Sequence, residues 1–266
     1  EVLSSTGGNT FSGAPVVSHI PDSLVDTSSY DFSGNPITKY TNGALSLPIN
    51  MNSVAGFSNC KIRTVVIPSS TTIVGSNAFA SNPDLKSVDI PNNVGEIYGN
   101  AFYNSGLEEV SLPEGLISIG DSAFRGTKIT EITIPSTVTT LSQYAFSETK
   151  LTFVTIPNTV TSIGSRLFYN TTSLESVSIT NAVTSIPEYF CYGCNLKNVT
   201  IPEGIQTISQ YAFYGNYGLN SVTFPSTLTT INANAFNNIS YPTEYDFRAC
   251  LTVPTLSATS AFNTGI

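Results

Sequence analysis

The chain has no tryptophan, one methionine and one histidine, and only 10 lysines and arginines against 18 acids in 266 residues. Each shortage excludes something. A net charge of −8 leaves no basic stripe for phosphates, so neither nucleic acid nor an anionic membrane surface is an expected partner. With His19 as the single histidine, the four cysteines Cys60, Cys191, Cys194 and Cys250 lack companions for a zinc set. No apolar run reaches the ~18 residues of a membrane-spanning helix. No stretch holds the helical apolar period over the ~10 residues that a helix needs.

What is present is a clock. Phenylalanine returns at Phe57, Phe79, Phe102, Phe124, Phe146, Phe168, Phe190, Phe213 and Phe236, in steps of 22 or 23 residues. A fixed period in the twenties marks a solenoid, in which each period is one coil stacked on the last. The coil is legible in LEEVSLPEGLISIGDSAF, which ends at Phe124. Its apolar positions are Leu107, Val110, Leu112, Leu116, Ile119 and Phe124, and eight coils follow this scheme, from Ile62 to the one that starts at Leu219. Thr71 is the one polar residue in the fourth apolar column.

Val110-Ser111-Leu112 alternates apolar and polar, as Ile132-Thr133-Ile134 and Val154-Thr155-Ile156 do. That period of two reads as a short half-buried strand. Proline follows at Pro68, Pro91, Pro113, Pro135, Pro157, Pro202 and Pro225, where its missing N–H ends ladder pairing. Only the Leu174 coil departs, with Thr180 there. A second extended stretch such as Val138–Leu141 leads on to the phenylalanine. The expected architecture is one parallel sheet along a rod on the order of 40 Å long, at about 4.8 Å per coil. The residue after the last isoleucine is Gly75, Gly120 or Gly164 but also Tyr98 and Pro187. Proline and tyrosine argue against a left-handed backbone there, so these glycines are expected to serve close packing. The loop at Pro187 reads as one residue shorter than the others.

The pattern LxxVxIPxxVxxIGxxAF, repeated over about residues 45–240, resembles the BspA-like, or Treponema pallidum type, leucine-rich repeats. LEEVSLPEGLISIGDSAF and LTFVTIPNTVTSIGSRLF carry the resemblance most closely. It implies a mainly β leucine-rich-repeat solenoid on a bacterial cell surface, or on some parasitic protists. It also implies an adhesin-like binding role, toward a protein or glycan on host or neighbouring cells, with no shared catalytic residues. The family often places cysteine three residues after the phenylalanine. Only Cys60 matches that spacing, with Asn82, Ser105, Thr127, Thr149 and Thr171 in its place elsewhere.

Three segments are expected: a linker and irregular cap over 1–43, the solenoid over 44–240, and a diverged coil or cap over 241–266. YDF recurs at Tyr30–Phe32 and Tyr245–Phe247, one on each side of the array. Solenoid ends expose apolar cross-sections and strand edges, so both need covers. The chain starts at Glu1 without methionine or an apolar leader, which suits the mature or trimmed form of a secreted protein. A monomer without cofactor or metal is expected.

Two columns should point outward from the strands: Thr64, Ser87, Glu109, Glu131, Phe153, Ser176, Asn198, Ser221, and beside it Val66, Asp89, Ser111, Thr133, Thr155, Ser178, Thr200, Thr223. Most of this is small hydroxyl surface, which suits β geometry and solubility. Phe153 is the exception, and a large ring on such a face either packs on its neighbours' stems or anchors a partner. The candidate partner site is Phe153 with Glu109, Glu131, Asp89, Thr133 and Thr155. Glu109 and Glu131 fall in one column at about the coil spacing, near the carboxyl separation of a retaining glycosidase. A flat face without a cleft or tryptophan speaks against that reading, and the alternative to a binding role is a structural spacer that presents another domain.

Tyrosines gather around the phenylalanine: Tyr103, Tyr169 and Tyr214 follow it directly, and Tyr144, Tyr189, Tyr192 and Tyr211 are close by. They either shield the core at a loop or form a second adhesive surface. Cys191-Tyr-Gly-Cys194 is left open between inert thiols in a turn, a strained local disulfide, and a metal or redox pair. Asn170, Asn198 and Asn238 fit the glycosylation pattern, which chance explains in so Asn/Thr-rich a chain.

Overall fold

A computed structural model of the chain describes residues 39–41, 43–47, 51–239, 244–246 and 255–256. The expected linker, His19, Tyr30–Phe32, Cys250 and most of 241–266 lie outside the described residues. Among the described residues there is no helix, and so none long and apolar enough to cross a membrane.

The coils stack as the period requires. Strands Thr64–Val66, Ser87–Asp89, Glu109–Ser111, Phe153–Thr155, Ser176–Ser178, Asn198–Thr200 and Ser221–Thr223 lie on one side, each burying its middle residue wholly or in part. In the seven proline coils a turn follows, in which the proline carbonyl accepts the N–H three residues on, as Val94 N to Pro91 O at 3.0 Å. In the Leu174 coil the buried Thr180 substitutes, its Oγ1 accepting the Ala182 N–H at 3.1 Å. Thr71 is equally accounted for: it is fully buried, and its hydroxyl donates to Met51 O at 2.8 Å.

One expectation changes. The second extended stretch is itself a parallel ladder, so the solenoid has two sheet faces rather than one. It runs through Ser53–Val54, Ile73–Val74, Glu96–Ile97, Ser118–Ile119, Thr140–Leu141 and Ser162–Ile163, and again from Ser185–Ile186 through Thr207–Ile208 and Thr230–Ile231 to Thr255–Leu256. Two residues per coil suffice for pairing because the stacked neighbour is already aligned. The first ladder pauses at residues 130–134 and again between Ser178 and Asn198. At its N-terminal edge Lys39–Thr41 pairs antiparallel with Ala44–Ser46. At the other end Glu244–Asp246 continues the parallel register on Ser221–Thr223.

The interior is a phenylalanine column, with all nine rings at most 1% exposed. From Phe57 to Phe168 they stack nearly parallel, with centroids 5.3–6.0 Å apart. At Phe190 the order breaks: the ring is 79° from both Phe168 and Phe213. The backbone explains it. Phe146 N–H donates to Leu167 O, just before Phe168, and Phe213 N–H to Ala235 O, just before Phe236. By the same rule Phe168 donates to Phe190 O and Cys191 to Ala212 O. Phe190 therefore sits in the small-residue slot and Cys191 in the phenylalanine slot. The loop at Pro187 is not shorter; two core residues have traded places, and the ring enters the stack edge-on.

This exchange also corrects the cysteine pattern. Cys194 lies three residues after the occupant of the phenylalanine slot, in the same column as Cys60. That column is an internal polar seam. Thr127 and Thr149 hydroxyls donate to Phe124 O and Phe146 O, at 2.8 and 2.9 Å, and Cys194 Sγ to Phe168 O at 3.1 Å. Asn82 and Asn216 each donate to two carbonyls of the column and accept backbone N–H groups in return. The seam satisfies carbonyls that a wholly apolar core would leave bare.

Glycine behaves as read at two positions. A Cβ on Gly120 would lie 2.7 Å from Gly99 N, and one on Gly164 2.3 Å from Gln143 N, so close packing requires both. The left-handed position lies two residues further on. Asn77, Asn100, Ser122, Tyr144, Arg166, Tyr189, Tyr211 and Asn234 all have φ between 55° and 60°.

Candidate binding surfaces

The strand face is open and mostly hydroxyl. Every residue of its two outward columns is exposed except Ser221, which is half-buried. Phe153 is 55% exposed, so its ring does not fold back onto the stems around it. It pairs in register with Ser176, and Thr155 with Ser178. Asp89 pairs with Ser111 and Glu109 with Ser87. Glu131 and Thr133 fall in the pause at residues 130–134, so the ladder does not tie Glu131 to either Glu109 or Phe153. Glu109 and Glu131 are both exposed, without the enclosure that would set two carboxyls apart as acid and base. The two columns contain three acids and no lysine or arginine. Val66, 67% exposed, is a second apolar side chain on this face, at its N-terminal end.

The loop face, around the phenylalanine turns, is built differently. Because Cys191 takes the phenylalanine slot, Tyr192 joins the column of Tyr169 and Tyr214. These three rings stack at 5.0 and 4.9 Å, within 14° of parallel. The left-handed column runs beside them: Arg166 lies over Tyr144 and Tyr189, at 5.5 and 4.3 Å, and Tyr189 stacks on Tyr211 at 5.0 Å. Arg125 lies over Tyr144 at 5.0 Å and is paired with Glu148 at 2.8 Å. Burial and the neighbouring tyrosines push the Tyr192 hydroxyl above its ordinary range. The rings are half-buried: they cover the core and present edges and hydroxyls to water. Sequence reading found the tyrosines but not Arg125 and Arg166 among them. The available signal was the shared phase of Tyr144, Arg166, Tyr189 and Tyr211.

Cys191 and Cys194 are free thiols, and both are buried, as is Cys60. Burial pushes Cys60 up to about 11 and Cys191 well above the usual thiol range. The CxxC thus starts in the turn with both of its side chains buried in the core, and burial holds Cys191 in its unreactive thiol form. Among the described residues no group of three or more His, Cys, Asp or Glu is placed to hold a metal.

A family model described as BspA type leucine rich repeat region, in six copies, matches residues 26–152 and 139–257. Two solved structures show the same fold. A leucine-rich repeat protein from Bacteroides ovatus is 26% identical, with a TM-score of 0.63 over 74% of this chain. The chain spans about half of that protein, 52% of its length. A leucine-rich repeat protein from Eubacterium ventriosum is 23% identical, with a TM-score of 0.57 over 84% of this chain and 77% of that one. None of the curated proteins matches the chain.

Proposed function

The chain belongs to the BspA-type leucine-rich repeat family, and from that premise we propose that it is a non-catalytic adhesin of the bacterial cell surface that binds a protein through its strand face. The observation that carries this reading is Phe153, a ring 55% exposed in the middle of a hydroxyl face. Burying one such ring on association contributes roughly 1.5–3 kcal/mol, more than any other side chain of that face offers. Glu109, Glu131 and Asp89 around it favour a basic partner, and Thr133 and Thr155 supply hydroxyls at the rim. A partner that meets this acidic field should associate more slowly as salt rises. A plain spacer does not need an exposed ring there.

The test is surface plasmon resonance of wild type and Phe153→Ser against immobilised extracellular matrix proteins, with thermal melts of both. Phe153→Ser should weaken binding by about tenfold or more, equivalent to about 1.4 kcal/mol. An equal affinity in an equally stable variant removes this site. Raising salt from about 0.05 to 0.5 M should lower the association rate of wild type more than that of Glu109→Gln/Glu131→Gln.

A further inference from the structure

We propose a second binding site on the loop face, where the two tyrosine columns stop, and that it takes a neutral saccharide. Tyr214 stacks on Tyr192 and Tyr211 on Tyr189, each using one ring face. In the next coil the same two columns hold Asn237 and Asn234 instead of rings. Among the described residues no further ring stacks on Tyr211 or Tyr214, which meet each other edge-on at 5.6 Å, and a cavity of about 270 Å³ opens there, lined by Tyr211, Tyr214, Asn234, Asn237 and Asn238.

The chemistry of this lining selects the occupant. It contains no charged side chain, two aromatic walls and three primary amides. A pyranose has the matching surfaces: an axial C–H face that packs on an aromatic ring and hydroxyls that exchange hydrogen bonds with amides. An aromatic side chain from a protein would find the walls but leave the amides unmatched, which costs binding energy. The amides are not all engaged with one another. Asn237 Nδ2 donates to Asn234 Oδ1 at 2.5 Å, and Asn238 Nδ2 to the Tyr217 hydroxyl at 2.5 Å. Asn237 Oδ1 is buried without a hydrogen-bond partner. A ligand hydroxyl that donates to it removes that deficit.

The backbone gives an independent reason to regard this face as more than a cover. Tyr144, Arg166, Tyr189 and Tyr211 sit at φ 55–60°. That conformation is unfavourable for a bulky L-residue by roughly 1–2 kcal/mol. Coils elsewhere use Asn77, Asn100 and Asn234 at the same place, the residue type that tolerates it best. Four successive coils thus accept strain to put large flat side chains at this position, and such strain collects at functional sites. The site is separate from the strand face, so the two can fail independently.

Saturation-transfer difference NMR on the full chain tests it, with lactose, N,N′-diacetylchitobiose and maltotriose as probes. At least one should receive saturation on its ring protons from wild type, with a Kd on the order of 1 mM. Tyr214→Ala and Asn237→Ala should each weaken that binding about tenfold. Because Tyr214→Ala also opens the ring stack, Asn237→Ala is the arm that reads the site without it. Phe153→Ser should bind the saccharide as wild type does. No transfer to any of the three probes overturns the proposal, as does unchanged binding in Asn237→Ala. Transfer to N-acetyltyrosinamide but to none of the saccharides also overturns it, and assigns the cavity to a protein's aromatic side chain.

Discussion

Phe146 and Phe153 stand seven residues apart and do opposite things. Phe146 is fully buried, stacked between Phe124 at 5.7 Å and Phe168 at 6.0 Å. Phe153 is on the strand face, 55% exposed, with Ser176 paired beside it. The inner column tolerates almost no variation, because each ring is wall and neighbour to the next. The outer face is nearly free of that constraint, because alternation along each strand sends its side chains away from the core. A departure from type therefore means different things in the two places. Inside, the Phe190–Cys191 exchange is absorbed by turning a ring. Outside, nothing in the stack asks for Phe153, which is why the proposed site centres on it. The loop face is intermediate: its tyrosines pack on one another and still reach water.

The largest effect should come from the inner column. Phe146→Ala should lower unfolding stability by about 3–5 kcal/mol in a urea melt, since the rings on either side cannot close the gap. Gly120→Ala comes next. Its methyl would be driven against Gly99 N and the Tyr98 carbonyl carbon, both at 2.7 Å, and the expected loss is about 1–3 kcal/mol by the same melt. The loop face should follow, with Tyr192→Ala losing about 1–2 kcal/mol as two ring stacks and their buried area disappear. The smallest effect should be on the strand face, where Ser111→Ala should change stability by under about 0.5 kcal/mol. If Tyr192→Ala matched Ser111→Ala, the loop face would be surface rather than cover.

Much of the fold could be read from the chain because its information is repeated. Eight copies of one coil let the strand alternation, the proline turn and the phenylalanine column be read against each other. The inward and outward faces of the strands followed from alternation alone. The second ladder was harder, since two-residue strands such as Ser118–Ile119 leave almost no period to detect. The core exchange was invisible for a different reason: Phe190 keeps the 22-residue step from Phe168 while its backbone has slipped by one. Counting by phenylalanine hid the slip and misplaced Cys194. The exposure of Phe153 was legible; the pause of the ladder beside it was not, because Ile132-Thr133-Ile134 alternates as well as any strand in the array. The cavity at Tyr211 and Tyr214 depends on where two stacks end, which becomes visible only once the columns are aligned in space.

The most direct measurement sets Phe146→Ala beside Phe153→Ser, taking a urea midpoint and an affinity for immobilised matrix protein on the same samples. Phe153→Ser should keep the wild-type midpoint and lose about tenfold in affinity. Phe146→Ala should lose most of its stability, yet bind as wild type wherever it is still folded. A Phe153→Ser midpoint that falls as far as that of Phe146→Ala, or an affinity that does not change, would contradict the division between a core that only holds and a face that binds.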